Sequence, residues 1–199
     1  MAESPSAPRQ AHARVDEAAI AARVDLLTSA RRAAALRTRF AAGYGVDLPR
    51  VGRSVRAGEF IVLALSPDHW RCEFDGPIGD GSAVSHAAAA LCAAVGDDAA
   101  VVDQSDGWRS FDVAGPGARE VLAKAVPIDL DATVFPVGDV ARTLVAHVAV
   151  TLRCVSAEPV FRLSVARSYA GSLLDWLRDA GAEENPQRAL RDRHSASPR

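Results

Sequence analysis

Three cysteines and five histidines are among the side chains of this 199-residue chain that could serve as nucleophiles, metal ligands or proton carriers. Cys72, Cys92 and Cys154 are too scattered for a zinc pattern and too few for a disulfide framework. A cysteine nucleophile needs a base beside it, and none of the three has a histidine or asparagine nearby in a recognisable signature. Their spacing favours three small, half-buried apolar side chains.

Two histidines have neighbours that could support proton transfer. His69 lies between Asp68 and Trp70, and His86 follows Ser85. The five histidines show no metal-ligand spacing, and a lone histidine near a turn more often lies at the surface or makes a structural hydrogen bond. The pattern therefore predicts no metal site and no catalytic residue.

The stretch "GPGARE" at 115–120 follows a predicted strand and opens a predicted helix, which is the setting of a dinucleotide-binding turn. Glu120 occupies the position of the third glycine in that motif. Pro116 has a sufficient structural role at the first helical position, because its fixed φ suits a helix start. The stretch favours a helix start without a phosphate site, so no cofactor-binding residue is predicted in this chain.

Composition excludes several classes of partner. The net charge of −2 gives no field to attract nucleic acid, and "ARRAAALRTR" at 30–39 is better explained as the solvated face of a helix. No apolar run is long enough to span a membrane, and "MAESPSAPRQ" lacks the apolar stretch of a signal peptide. We expect a globular, cytoplasmic protein that binds neither nucleic acid nor membrane.

Strand and helix patterns alternate along the chain and predict an α+β fold. In the first half they are a strand at 22–29, a helix capped by Ser29 and stopped by Gly43 and Gly45, a hairpin of strands at 59–66 and 71–76, and a helix at 82–94. In the second half they are strands at 100–105 and 108–115, a helix opening at Pro116, strands at 141–152 and 160–166, and a helix capped by Ser168 and ended by Gly181.

These elements predict one domain over 14–182, built from two βαβ-type halves at about 22–98 and 99–181 with mainly antiparallel sheets. Residues 1–13 and 183–199 are polar, rich in Ser, Pro or Ala, and without periodicity, so we expect flexible tails there.

The closing helix carries an apolar stripe, because its large side chains recur at helical spacing: Tyr169, Leu173, Trp176, Leu177 and Ala180. The stripe faces either the sheet of this domain or a partner protein, and packing on the chain's own sheet is the simpler interpretation.

Arg142 and Arg167 stand out as polar residues within apolar strand segments. An arginine is rarely buried without a partner, so each must pair within the chain or reach a carboxylate of another subunit. The candidate internal partners are Asp103, Asp106 and Asp129. An internal pair that fixes the strand-to-helix corner at 167–168 is favoured over direct docking.

The ordered residues of the second half closely resemble the gamma subunit family of heterotetrameric sarcosine oxidase. The matching elements are Asp103 and Ser105, Gly115-Pro116 with Ala118 and Leu122, Pro127 with Asp129 and Leu130, Phe135, Gly138, Ala141-Arg142-Thr143, and Arg167-Ser168-Tyr169-Ala170 with Trp176. The resemblance extends over about 22–181 and is weak before residue 60. His69 and the pair Arg71-Cys72 depart from the family pattern, which leaves the amine substrate open.

The resemblance implies a small non-catalytic subunit with a fold similar to part of the folate-binding aminomethyltransferase fold. Its partners would be the alpha, beta and delta subunits, with FAD, FMN, NAD and tetrahydrofolate held by those partners. The complex would oxidise sarcosine to glycine, pass the methyl carbon to tetrahydrofolate or release it as formaldehyde, and make hydrogen peroxide. The residues expected at a subunit interface or a structural corner are Arg142, Arg167, Ser168, Tyr169 and Trp176.

Two other functions stay open at this point. One is the small subunit of a related N-methyl amino acid dehydrogenase. The other is a stand-alone folate-binding protein similar to aminomethyltransferases, although this chain, with Lys124 as its single lysine, lacks the Lys-Gly-Cys-Tyr-x-Gly-Gln-Glu signature of one branch of that group.

Overall fold

A computed structural model describes residues 13–76 and 82–184 of the chain. Within these ranges the strands are β1 Arg14–Glu17, β2 Ile20–Leu27, β3 Ser54–Ala57, β4 Phe60–Ser66, β5 His69–Asp75, β6 Ala100–Asp103, β7 Trp108–Ala114, β8 Val140–Val145, β9 Val148–Ser156 and β10 Val160–Ala166. The α-helices of the same ranges are α1 Ala33–Tyr44, α2 Ser82–Val95, α3 Ala118–Ala123 and α4 Ala170–Glu184.

The strands form two five-stranded sheets. Sheet I has the order β3-β4-β5-β2-β6, and sheet II has the order β1-β7-β10-β9-β8. Every pair of neighbouring strands in the described ranges is antiparallel. The α+β class with mainly antiparallel sheets is therefore confirmed, whereas the likeness to the folate-binding fold stays a prediction.

The two sheets share one topology. In sheet I the chain runs β2, α1, β3, β4, β5, α2, β6, and in sheet II it runs β7, α3, β8, β9, β10, α4. The fifth strand of sheet II is β1, which precedes sheet I in the chain and pairs with β7 over Arg14–Glu17. The N-terminal strand thus reaches across from the first half to the edge of sheet II.

This arrangement corrects the predicted boundary between the halves. The sequence placed 99–103 in the second half, but β6 pairs with β2 in sheet I through contacts such as Leu26 with Val101. The strand β1 was not predicted at all. Its four residues are mostly exposed, and such a short polar run carries no clear alternation of apolar and polar residues.

Each sheet has an apolar outer face covered by two helices. In sheet I the alternate residues Val24, Val62 and Cys72 pack against Leu36 and Phe40 of α1 and Leu91 of α2. In sheet II the alternate residues Phe111, Leu152 and Leu163 pack against Leu122 of α3 and Leu173 and Leu177 of α4. The two cores therefore lie between sheet and helices. The predicted stripe packs on the chain's own sheet, except for Tyr169, which lies before α4 and is exposed.

The inner faces of the two sheets meet each other through polar residues. Side chains of β2 and β5 contact side chains of β7 and β10 across the gap, as in the hydrogen bond from Arg23 to Ser110. A small apolar group, Ile61, Leu63, Leu65 and Val140, joins β4 to the start of β8. The order of layers is helix, sheet I, sheet II, helix.

Several helix ends differ from the prediction. The helix α1 begins at Ala33 with Arg32 as its N-cap, so Ser29 contributes its backbone carbonyl to the preceding turn and does not cap α1. Gly45 ends α1 in the left-handed conformation, as predicted, whereas Gly43 lies inside the helix. The helix α3 begins at Ala118, two residues after Pro116, because residues 115–117 form a turn.

The last helix also differs at both ends. A short 3₁₀ turn over Arg167–Tyr169 leads into α4, and the residue before that turn, Ala166, makes no side-chain cap. Ser168 therefore lies inside the helical turn and is not its cap. The helix continues past Gly181 to Glu184, so the first two residues of the predicted tail 183–199 are helical. The rest of that tail and the predicted tail 1–13, apart from Ala13, lie outside the described residues.

Candidate functional site

The structure places the residues predicted at an interface on three different elements. Arg142 lies on β8, Arg167, Ser168 and Tyr169 form the turn after β10, and Trp176 lies on α4. The first four are exposed, with 57% of the Tyr169 surface accessible, and Trp176 is half-buried against the core of sheet II. They do not converge on a single site.

The predicted internal ion pairs of two arginines are wrong. Within residues 13–76 and 82–184, neither Arg142 nor Arg167 contacts any of the candidate carboxylates, Asp103, Asp106 and Asp129. The alternation along β8 directs Arg142 to a part of the inner face of sheet II that sheet I does not cover. Arg167 follows the last residue of β10, where the backbone leaves the sheet.

Sequence reasoning missed the main polar feature, a cluster of buried charged side chains between the two sheets. We call it the inter-sheet cluster and define it as Arg23, Asp25, Arg71, Glu73, Ser110, Arg153, Arg162 and Ser164. All except Arg162 are at most 5% exposed. The sequence signal was the alternation of charged and apolar residues in "ARVDLL" and "WRCEFD", which also fits a solvent-facing sheet.

The centre of the cluster is an ion pair between neighbouring strands. The guanidinium Nε of Arg23 lies 3.1 Å from Oε1 of Glu73, and both side chains are almost fully buried. Arg23 Nη2 donates to Ser110 Oγ at 2.7 Å, and the Ser110 and Ser164 hydroxyls are 2.8 Å apart. Burial lowers the pKa of Arg23, although Glu73 opposes this effect. The pair therefore joins sheet I to two strands of sheet II.

A second group lies one row along the same strands. Arg71 donates to both carboxylate oxygens of Asp25, at 2.7 and 2.9 Å, and His69 Nε2 lies 2.9 Å from the same carboxylate. The Arg71 guanidinium also lies over the Trp108 ring of sheet II, 4.0 Å from its centroid. Burial acts to raise the pKa of Asp25, but the hydrogen bonds from Arg71 and His69 outweigh it and the pKa is lowered.

A third group of charged side chains joins the two sheets at the edge of the inter-sheet cluster. Arg162 donates to both carboxylate oxygens of Asp112, at 2.8 and 2.9 Å, and to Asp75 of sheet I at 2.9 Å. Burial acts to lower the pKa of Arg162, but the bonds to the two carboxylates outweigh it and the pKa is raised. Arg56 of β3 contacts Asp75 from the other side at 3.3 Å.

Some buried atoms of the cluster have no hydrogen-bond partner among the residues that the structure describes. They are Nε and Nη2 of Arg153, Nη1 of Arg71 and Oε2 of Glu73. Burial lowers the pKa of Arg153, and the negative charge of Glu73 opposes this effect. A cavity beside the cluster, lined by Arg23, Ser105 and Trp108 among others, measures about 10 Å³. That volume suits about one water molecule and excludes a substrate.

Two of the three cysteines lie inside the fold. Cys72 and Cys154 are buried, and burial raises the pKa of both thiols, which opposes formation of a nucleophilic thiolate. Cys92 is exposed on α2. Across 13–76 and 82–184 no group of three or more His, Cys, Asp or Glu residues could hold a metal ion.

The turn at 115–117 connects β7 to α3. The Gly115 amide donates to the Pro159 carbonyl at 2.9 Å, and Gly115 has a φ of 108°, a conformation that suits glycine. The helix after the turn has six residues, with Ala118 and Leu122 in the core of sheet II. The stretch thus fixes the approach of α3 to the sheet.

None of the helices in the described part of the chain combines the length and the apolar character that a bilayer crossing requires.

Comparison with known proteins identifies relatives of this architecture. The model of the sarcosine oxidase, gamma subunit family matches residues 29–183. A chain of the heterotetrameric sarcosine oxidase from Corynebacterium sp. U-96, solved in complex with pyrrole 2-carboxylate, overlays with a TM-score of 0.72 and 26% identity, covering 86% of this chain and 85% of that chain. No curated protein sequence matches the chain.

A weaker structural likeness is to the regulatory subunit of aspartate kinase from Thermus thermophilus, with a TM-score of 0.39 and 14% identity over 84% of this chain and 96% of that chain. A TM-score this low carries no argument about function. The family match spans most of the chain: within the described residues it includes the strands β3 to β10 and the helices α1 to α4, the last up to residue 183, and it begins after β1 and β2. This chain belongs to the sarcosine oxidase gamma subunit family.

Proposed function

We propose that this chain is the small, non-catalytic subunit of a heterotetrameric sarcosine oxidase and supports assembly of that complex. The observation that carries the proposal is the family match over 29–183, together with the overlay on a chain of the Corynebacterium enzyme. In the proposed complex the alpha, beta and delta subunits hold FAD, FMN, NAD and tetrahydrofolate. Those subunits oxidise sarcosine to glycine and make hydrogen peroxide.

The chemistry of the buried side chains supports a structural role for this chain. The charged residues of the inter-sheet cluster are mostly paired with one another, and the adjacent cavity has room for about one water molecule. The thiols of Cys72 and Cys154 are protected by burial. These groups stabilise the contact between the sheets, which leaves the outer surface for partner subunits.

The isolated chain is expected to be colourless and to produce no hydrogen peroxide from sarcosine. The measurement is an absorbance spectrum of the purified chain from 350 to about 500 nm, followed by a peroxidase-coupled assay with and without the large subunits. Co-purification on size-exclusion chromatography with co-expressed alpha, beta and delta subunits tests assembly. Flavin absorbance or peroxide formation by this chain alone would contradict the non-catalytic role.

The exposed corner at the start of α4 supplies a second test of the role in assembly. Arg167 has no ion-pair partner in the described residues, so its removal should leave the melting temperature of the isolated chain almost unchanged. If it pairs with a buried carboxylate of a large subunit, Arg167→Ala should weaken association by roughly 2 to 5 kcal/mol.

Arg178→Ala is the matched control, because Arg178 is also exposed and lies on α4, about three helical turns after Arg167. Isothermal titration or size-exclusion analysis would measure association, and differential scanning fluorimetry the melting temperature. Full-affinity assembly of the Arg167→Ala chain would exclude this residue from docking.

A further inference from the structure

The strand β8 has an unpaired edge in the described part of the fold. It lies at one end of sheet II and pairs only with β9, through Val140 with Arg153 up to Val145 with Val148. Its first residue is covered, because the Val140 amide donates to the Gly52 carbonyl at 2.9 Å. The remaining residues of β8 extend past this contact.

The hairpin geometry identifies which backbone groups of β8 are free. Ala146 and His147 form a two-residue turn with φ values of 47° and 70°, so Val145 and Val148 form the first hydrogen-bonded pair. Hydrogen-bonded and non-hydrogen-bonded pairs alternate along an antiparallel ladder. The N–H and C=O groups of Leu144 and Arg142 therefore point away from β9. The outward amide of Val140 fits the same alternation.

The side chains of these two residues are also exposed. Leu144, the second-last residue of β8, is 48% exposed, and Arg142 has no ion-pair partner in the described residues. An edge strand with free backbone groups is a template for another strand unless it is blocked by proline, a bulge or a covering element. Residues 141–145 contain no proline and no register shift.

Two open grooves flank this edge and meet at Leu144. One, of about 360 Å³, is lined by Trp108, Arg142, Thr143, Leu144, Ala149, Val150 and Thr151. The other, of about 710 Å³, is lined by Lys124, Ala125, Pro127, Leu144, Ala146, His147 and Trp176. Apolar side chains and three cationic or titratable bases line these grooves, and none of the lining residues carries a carboxylate.

We propose that the free edge of β8 takes an extended acidic segment of another subunit as a sixth strand of sheet II. This inference rests on the proposed role in a heterotetramer. The main chain of the segment bonds to the backbone of Arg142 and Leu144, one carboxylate pairs with the Arg142 guanidinium, and alternate side chains enter the two grooves.

Charge complementarity favours an acidic partner over a second copy of this chain. Pairing β8 with β8 of a second copy would place two Arg142 guanidinium groups, neither of which has an ion-pair partner in the described residues, along one sheet edge without a carboxylate among the lining residues. Like charges placed across an interface disfavour association. A carboxylate-bearing strand meets the same groups with opposite charge.

Association measurements test the edge with two variants and one control. Arg142→Glu reverses the free charge, and Leu144→Pro removes an amide that makes no bond within the chain, a change that an edge strand tolerates. Each should weaken binding to the co-purified alpha, beta and delta subunits by about tenfold or more. Arg31→Glu makes the same charge change at an exposed site before α1 and should bind like the wild type.

Residue-resolved hydrogen exchange tests the edge in the wild-type chain, so a folding defect of a variant cannot produce the expected result. In the isolated wild-type chain the amides of Arg142 and Leu144 should exchange faster than that of Thr143, which is bonded to β9. Assembly should slow the exchange at 142 and 144 by about tenfold or more, because both amides gain a partner.

The outcomes separate the two proposals. If the wild-type chain fails to assemble with the large subunits, the proposed function is wrong. If the wild type assembles but both variants bind with unchanged affinity and the two amides stay unprotected, the docking edge is wrong and the proposed function stands. If the variants abolish self-association of the isolated chain and leave assembly intact, the edge binds a second copy and the proposal is overturned.

Discussion

Replacing Glu73 by glutamine is expected to lower the free energy of unfolding by about 3 to 5 kcal/mol, the effect of removing one partner of a buried ion pair. Glu73 is 1% exposed and faces Arg23, which is also 1% exposed. Glutamine keeps the size of the side chain and can still accept a hydrogen bond. The lowered free energy of unfolding therefore comes from the buried charge of Arg23, and more weakly that of Arg153, which Glu73 no longer compensates.

Urea unfolding of the purified chain, followed by circular dichroism, measures the change. The matched control is Glu59→Gln in the exposed turn between β3 and β4, which should stay within about 0.5 kcal/mol of the wild type. Adding Arg23→Met to the Glu73→Gln chain should restore part of the stability, because it removes the stranded charge. A loss below about 1 kcal/mol in the single variant would show that the pair does not hold the sheets together.

The same ion pair makes the two sheets depend on each other. Arg23 and Glu73 belong to sheet I, whereas Ser110 and Ser164 belong to sheet II, 87 and 91 residues away in the chain from the partners that they contact. The strand β1 adds a second link, since it precedes sheet I in sequence and completes sheet II. We therefore expect the halves to unfold together in one transition.

Local signals in the sequence predicted those elements whose pattern is decided within a few residues. The apolar run of β4, the turn at 67–68 and the return strand β5 form the predicted hairpin, with Phe60 opposite Phe74. The alanine-rich helix α2 and the stripe of α4 also follow from periodicity, because one face of each meets a sheet. The resemblance identified the family correctly.

Features that depend on distant pairing were not predictable in the same way. The strand β6 reads equally well as the start of the second half, and only its pairing with β2 assigns it to sheet I. The alternation of Arg23 and Asp25 with apolar residues predicts one polar face but cannot tell whether water or another sheet lies against it. The structure places a second sheet there.

The rule that a buried strand arginine needs a partner holds for three arginines of the fold but not for Arg153, and it was applied to two residues that are not buried. Arg142 and Arg167 are exposed, whereas Arg23, Arg71 and Arg162 are the arginines that pair with carboxylates inside the fold. From sequence, all five are arginines in apolar segments. The buried arginines differ from the exposed ones in the position of their strand within its sheet, and no local sequence pattern predicts that position.

Replacing Arg71 by alanine is the second substitution expected to have a large effect, again about 3 to 5 kcal/mol at neutral pH. The change removes both hydrogen bonds to Asp25 and the stacking of the guanidinium on Trp108. The Asp25 carboxylate, which is 5% exposed, would keep only His69 as a partner.

The pH dependence of this loss distinguishes a stranded carboxylate from a simple packing defect. In the wild type the pKa of Asp25 is lowered, so its contribution to stability is present above the unfolded value, about 3.9, and is lost as the pH falls through the folded value. In Arg71→Ala the burial of Asp25 is no longer offset, so its pKa should rise above the unfolded value and the folded variant should bind a proton more readily.

The stability difference between the wild type and Arg71→Ala should therefore be largest at pH 7, should begin to shrink as the pH falls to the raised pKa of Asp25 in the variant, and should keep shrinking until the pH passes the lowered pKa of Asp25 in the wild type. Urea unfolding at a series of pH values measures it, with Arg71→Ala/Asp25→Asn as the companion variant, because asparagine removes the charge. The double variant should recover stability at pH 7 relative to Arg71→Ala. Its free energy of unfolding should also depend less on pH at acidic values. A stability difference that stays constant from pH 7 to about pH 3 would mean that Arg71 acts through its packing on Trp108, since a loss of packing does not depend on the protonation of Asp25.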